Sequence, residues 1–370
     1  MSPSCWWTRP GRWNRSVALP LNFTPRRALV IKLGHIGDVL VATPVITALA
    51  EAWPSLEITA IVNQGTEAMV QHDPLLKEVM VLRRRHANPA AALIWQLGFL
   101  HRVYHGRFDL ALELSGGDRG AFLAWLSRAR QRVGFQPKEP HLRARAFQVL
   151  TPLWDPSRHM VETFLGQVRA LGLTPQDTRL RFHPGPEAQA RAGQILASAG
   201  LAPGGYALVH PTSRWMFKTW TPAGVAAVMR HLAGRGLGLV LTSGPEAREL
   251  AWVQELRALL GAGPAFLDLA GRLDLGSLGA LIAGARLFFG MDSAPMHMAA
   301  ALGRPVLCIF GPSGQAMWGP WQTPAQVVVG DCPEHPCGRD GCDGSKISRC
   351  LTELEPGVVI AAAERLLGEA

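Results

Sequence analysis

Two distant glycine loops, each set between an apolar run and a helix-like run, constrain this chain more than any other feature. The first is Lys32-Leu33-Gly34-His35-Ile36-Gly37-Asp38, and the second is Gly290-Met291-Asp292-Ser293-Ala294-Pro295-Met296-His297. Strand, tight turn and helix N-terminus in succession present free backbone N–H groups to an anion. One such loop in each half implies two α/β domains facing one cleft. One domain would hold a phosphorylated donor and the other the reacting group.

The rest of the pattern agrees. Strand-like runs at 28–33, 56–62, 79–82 and 110–114 alternate with helical stretches at 39–53, 93–104 and 121–126. A long amphipathic helix is expected at 158–171, then a Pro-rich polar linker at 174–186. The pattern restarts with strands at 206–210, 237–242, 265–269, 287–290 and 306–310. Helices are expected between them at 223–232, 250–260, 278–283 and 296–302, and at the end over 356–367. Such alternation marks doubly wound parallel sheets.

The 370 residues suffice for two ordinary domains. No apolar stretch reaches the roughly 18 residues of a spanning helix. Residues 1–27 are basic and Trp-rich (Trp6, Trp7, Trp13, Arg9, Arg12, Arg15) and lack the apolar core of a secretory signal. They read as a disordered tail, and a cytoplasmic location is expected. The formal charge of +9 favours anionic partners. No helix-turn-helix, RNP-type or zinc-finger pattern accompanies it, so nucleic acid is not expected. Cys332, Cys337, Cys342 and Cys350 follow a C-x4-C-x4-C-x7-C spacing, which is neither a zinc-ribbon nor a usual iron–sulfur pattern. The expectation is a loop of reduced thiols and no metal.

Four loops carry chemistry. Asp38 opens a helix at a strand end, where it is either a cap or a carboxylate facing the ligand edge of the sheet. The run is not a dinucleotide fingerprint, and Asn63 stands where an acidic residue would close the second strand. Thr212, Ser213 and Lys218 follow the 206–210 strand and suit a diphosphate, by hydroxyl donors and one ammonium. Glu246 closes the next strand and could meet a ribose. Asp292, Ser293 and His297 form the last loop.

Together these residues resemble the heptosyltransferases of lipopolysaccharide core synthesis, glycosyltransferase family 9, most of all its heptosyltransferase III-like members. The matching stretches are 30–40 with Thr43-Pro44, Pro211-Thr212-Ser213-Arg214 through Lys218 and Trp220, Leu269-Ala270-Gly271, 290–297, and Phe310-Gly311-Pro312-Ser313. The resemblance implies a GT-B fold of two Rossmann-like domains. It would comprise an acceptor-binding domain at 28–178, a nucleotide-sugar domain at 187–350, and a helix at 355–370 packing back toward the N-terminal domain. It implies inverting transfer of heptose from ADP-heptose to a lipid-linked core acceptor, with Asp38 as the base and no cofactor. Thr212, Ser213, Lys218, Glu246, Met291, Asp292, Ser293, Ala294 and His297 would bind the donor. Lys32, Gly37, Arg119 and Arg214 are candidate acceptor contacts, Arg119 reading equally well as solvated helix surface. The enzyme would work peripherally on the cytoplasmic face of the inner membrane. Bulky Trp215, Met216 and Phe217 before Lys218, and Ala294 where many relatives have Gly, depart from the family pattern.

Three other readings compete. They are an oxidoreductase, disfavoured by the missing fingerprint, a transferase acting on a protein or another glycan, and a non-catalytic nucleotide-sugar binder.

Overall fold

The computed structural model describes residues 21–83, 88–137, 139, 142–152 and 155–368. Most of the tail therefore lies outside the described residues. Its last residues belong to the fold: Leu21 packs on the core, and the backbone N–H groups of Arg26 and Arg27 donate to Asp109.

The N-terminal half runs β1 (Arg27–Lys32), α1 (Ile36–Val41), α2 (Thr43–Ala52), β2 (Glu57–Asn63), β3 (Leu76–Leu82), α3 (Pro89–His105), β4 (Leu110–Glu113), α4 (Asp118–Leu126), β5 (Gln131–Phe135), β6 (Val149–Thr151) and α5 (Met160–Arg169). The C-terminal half runs α6 (Pro186–Ser198), β7 (Tyr206–His210), α7 (Pro222–Gly234), β8 (Gly238–Leu241), α8 (Ala247–Leu260), β9 (Leu267–Asp268), α9 (Leu275–Gly284) and β10 (Leu287–Met291). It ends with α10 (Ala294–Ala301), β11 (Val306–Phe310), α11 (Gln315–Trp318), β12 (Ala325–Val329), α12 (Arg349–Thr352) and α13 (Pro356–Gly368).

Each half holds a six-stranded parallel sheet, ordered β3-β2-β1-β4-β5-β6 and β12-β11-β10-β7-β8-β9. Both orders reverse direction in the middle, between β1 and β4 and between β7 and β10. At such switch points the following loops splay apart and leave a crevice at the carboxyl ends of the strands. The central strands are buried on both faces, as their continuous apolar runs require.

Several expectations need correction. The single helix expected over 39–53 is two helices broken at Ala42. Pro44 lacks an N–H to continue α1 but fits the first turn of α2. Strands β5, β6 and β12 and helix α6 were not anticipated. Helix α13 does not follow the expectation that it packs back toward the N-terminal domain: it lies on α7, β11 and β12 of its own half. Its apolar stripe of Val359, Ala362, Ala363 and Leu366 is buried there.

The linker after α5 has no regular structure, yet it is anchored to both halves. Leu180 and Phe182 are buried in a core that continues from one domain into the other. Arg181 N–H donates to Thr43 (3.0 Å), and the Trp321 indole donates to the Thr178 carbonyl (2.8 Å). His159 stacks on Trp321 and meets the Gly319 carbonyl at 3.0 Å, adding a further tie. The two domains are thus held face to face.

Candidate functional site

The loops after β1, β4, β7 and β10 are the four that flank the two switch points, and they carry most of the residues singled out from sequence. Helices α1 and α10 meet across the cleft. A Cβ on Gly37 would lie 3.2 Å from His297 Cδ2 and 3.6 Å from Ala294 Cα, so only a hydrogen fits without displacement. The small side chain at Ala294 belongs to the same contact.

Asp38 is the third residue of α1, and His35 is the N-cap. The carboxylate accepts the His35 N–H at 2.8 Å and remains partly exposed at the cleft. A Cβ on Gly34 would come within 2.7 Å of that carboxylate, which explains the glycine. Asn63 Nδ2 donates to the Gly34 carbonyl (3.2 Å) and braces the turn. Capping and cleft-facing placement, opposed as alternatives at the sequence level, therefore coexist in one side chain.

Behind this loop lies a buried pair. Lys32 donates to the Leu114 carbonyl (2.9 Å) with its ammonium 4.4 Å from the Phe164 ring centre. Burial lowers its pKa, opposed by the charges of Asp38 and Glu113. Glu113 accepts the N–H groups of Ser115 and Gly116, while burial raises its pKa. Lys32 is thus enclosed beneath the site and not presented to solvent. Arg119 stands exposed in the first turn of α4.

On the opposite wall, Lys218 Nζ lies 2.7 Å from Asp292 Oδ2, with Asp292 nearly enclosed. Ser293 stands at the N-cap position of α10 without a capping bond from its side chain, its hydroxyl donating instead to the carbonyl of buried Met291 at 3.3 Å. His297 is also buried, and its pKa is pushed down to about 4, first by burial, against the nearby charges of Asp292 and Asp38. A neutral imidazole results at neutral pH, and its Nδ1 is a buried atom with no hydrogen-bond partner among the described residues. Lys218, Asp292 and His297 form one cluster with Asp38 between the domains.

Other expected residues sit differently. The buried Thr212 hydroxyl donates to Glu249. Ser213 folds into its own loop, its N–H on Thr219 Oγ1 at 3.2 Å. Arg214, expected on the acceptor, lines a cavity of about 360 Å³ together with Glu246, Trp215 and Phe217 on the C-terminal domain. The far wall is the cysteine loop, through Asp340 and Lys346. Its four thiols are free, and Cys350 is pushed up to about 11, first by burial and then by the three neighbouring thiols. Among the described residues no three His, Cys, Asp or Glu side chains are arranged to hold a metal ion.

Sequence reasoning missed Glu249 and Glu113. Glu249 is buried and also accepts the Gly244 N–H (3.1 Å), joining the loops after β7 and β8. A signal existed for Glu113, a lone carboxylate inside an otherwise apolar strand. None existed for Glu249, one acid among several on an ordinary helix.

Comparison with known proteins accords with this geometry. Residues 97–347 match the family described as Glycosyltransferase family 9 (heptosyltransferase). Lipopolysaccharide heptosyltransferase 3 of Escherichia coli is 30% identical, over 90% of this chain and 96% of its own. Among solved structures, a family 9 glycosyl transferase from Veillonella parvula superposes with a TM-score of 0.79 at 23% identity, covering 93% of this chain and 98% of its own. E. coli heptosyltransferase WaaC with ADP gives 0.72 at 20% identity, covering 92% and 99%. Two face-to-face Rossmann-type domains are the GT-B arrangement, and the chain belongs to glycosyltransferase family 9, the heptosyltransferases.

Proposed function

We propose that this enzyme transfers heptose from ADP-heptose to a lipid-linked lipopolysaccharide core acceptor, with inversion at the anomeric carbon and Asp38 as general base. The observation that carries the reading is the convergence of Asp38, Lys218, Asp292 and His297 where the two switch points face each other. The ADP in the similarly folded WaaC structure supports the choice of donor nucleotide.

In this scheme the acceptor hydroxyl enters from the N-terminal domain. Its proton passes to the Asp38 carboxylate as its oxygen bonds to the anomeric carbon. The bond from that carbon to the diphosphate oxygen breaks, and ADP leaves with the electron pair. Attack from the side opposite the leaving group inverts the centre. Lys218 would exchange Asp292 for the diphosphate, and the N–H groups at the start of α10 would meet the same charge. Neutral His297, buried beside Asp292 and Asp38, would shape the donor pocket without adding a full charge. Glu246 and the aromatic side chains of the neighbouring cavity would take the nucleoside. The scheme draws on no metal or cofactor.

The test is incubation with ADP-heptose and a panel of truncated core acceptors, following ADP release and product mass. A heptose-mass gain on one acceptor is expected, and it should fall about 10²–10⁴-fold in Asp38→Ala. ADP-heptose binding with no transfer to any core acceptor would favour a protein or another glycan as acceptor. Failure to bind ADP-heptose would overturn the donor assignment.

A further inference from the structure

We infer that the outer face of α3 and α4 is a docking surface for an anionic lipid bilayer. Its purpose rests on the lipid-linked acceptor proposed above. The observation is a concentration of exposed apolar side chains. Leu93 (57% exposed), Ile94 (72%), Leu97 (59%) and Tyr104 share one stripe of α3, and Phe122 and Trp125 (58%) stand side by side on α4. Residues 93, 97 and 104 recur at helical spacing, away from the buried Phe99 and Val103. The two helices are in contact, and the Arg128 guanidinium bridges them by donating to the Tyr104 hydroxyl at 3.0 Å. A patch of this kind on a folded domain marks an interaction site.

Charge selects the partner. Arg119 and Arg128 bracket Phe122 and Trp125 in sequence steps of three. Helix α3 has no acidic residue, and the one on α4, Asp118, is paired with Arg143 at 3.8 Å. Apolar side chains set among arginines match the boundary between acyl chains and anionic headgroups. No helix among the described residues is long and apolar enough to cross a membrane, so the contact would be peripheral.

Two other occupants fit less well. Near the start of the described residues Phe23 lies under the guanidinium of Arg130, two positions beyond Arg128, at 4.2 Å. Residues 1–20 carry three Trp, three Arg and no acid. Tail and patch therefore share one sign of charge and suit a common anionic partner better than each other. A second copy docked on the same face would likewise set arginine against arginine. Placement agrees as well. Helix α4 starts at the carboxyl end of β4, the edge that carries Asp38, so the surface adjoins the cleft mouth on the acceptor side.

The test is co-sedimentation of the full chain with vesicles of phosphatidylglycerol and phosphatidylethanolamine, against phosphatidylcholine alone. The parent should sediment with the anionic vesicles and be released by salt. Ile94→Glu with Trp125→Glu should lose about tenfold or more of that binding. Leu93→Ser with Leu97→Ser reads the same face independently. In both pairs, transfer to an acceptor embedded in vesicles should fall in parallel. Transfer to the same acceptor stripped of its acyl chains should be unchanged.

Undiminished vesicle binding by both pairs would overturn the inference, as would a parent chain that stays in the supernatant. It is equally overturned if deleting residues 1–20 abolishes a binding that the pairs retain. A parental dimer that the pairs dissociate, without lipid binding, would make the face a subunit contact instead. If no acceptor is ever glycosylated, the proposed reaction fails, while sedimentation still decides the surface.

Discussion

Replacing Glu249 by Ala tests whether this carboxylate, which also lines the cavity beside Glu246, holds the donor loops together. Glu249 is buried and accepts two hydrogen bonds, from the Thr212 hydroxyl and the Gly244 N–H, which belong to loops after adjacent strands. A hydrogen bond to a charged group contributes about 1.5–3 kcal/mol, and a stranded buried hydroxyl costs about 1–3 kcal/mol. Part of this is recovered, because Gly244 is near enough to the surface to be rehydrated. The net loss should be about 2–4 kcal/mol, a drop of about 5–10 °C in melting temperature for a domain of this size. The same change frees the segments that carry Lys218 and Glu246. ADP affinity, measured by calorimetry, should therefore fall about tenfold or more, each factor of ten being about 1.4 kcal/mol. Glu249→Gln keeps one acceptor oxygen and should recover part of both effects. In a double-mutant cycle with Thr212→Val, the coupling should be about 1 kcal/mol or more. An Ala variant with parental melting temperature and parental ADP affinity would refute the reasoning.

Gly37→Val drives methyl groups into His297 and Ala294. It should cost about 1–3 kcal/mol by overpacking and depress transfer by prising α1 from α10, and parental kinetics with a parental melting temperature would rule that out. Lys218→Met removes the cation beside Asp292. ADP should bind about 10–100-fold more weakly, and titration calorimetry showing unchanged affinity would remove Lys218 from the diphosphate site. Burial pushes both His210 and His297 down to about 4 from an unfolded value of 6.5. The unfolded chain then takes up protons first, so stability is lost as pH falls from about 6.5 toward 4, by about 3 kcal/mol per histidine. Melting curves across that window should show the loss, and His297→Gln should flatten it; equal slopes would argue against a buried neutral His297.

Much of the architecture is legible because it depends on local chemistry. Glycines between an apolar run and a helix starter at 34–37 and 290 demand a strand–turn–helix, and repeating that pattern in both halves demands two doubly wound sheets. Elements whose existence depends on partners are not legible in this way. Strand β6 is three residues long and forms only by pairing with β5. The break at Ala42 follows from two helices taking different directions on the core. Pro44 permits it without announcing it, since proline is as much at home in a first turn as at a kink.

The candidate site divides along the same line. The sequence by itself determined the parts: two doubly wound sheets, a carboxylate in the first turn of α1, a lysine loop after β7, and an Asp-Ser turn before α10. Tertiary structure alone decided which parts meet. It brought Gly37 against His297, paired Lys218 with Asp292, enclosed Lys32 and turned Thr212 onto Glu249. It also laid α13 on its own domain and the cysteine loop over the cavity beside Glu246. The physical reason is range. Turn chemistry, capping and hydrophobic period act over a few residues, whereas burial, pKa and ion pairing depend on groups that here lie as many as 260 positions apart in the chain, as Gly37 and His297 do.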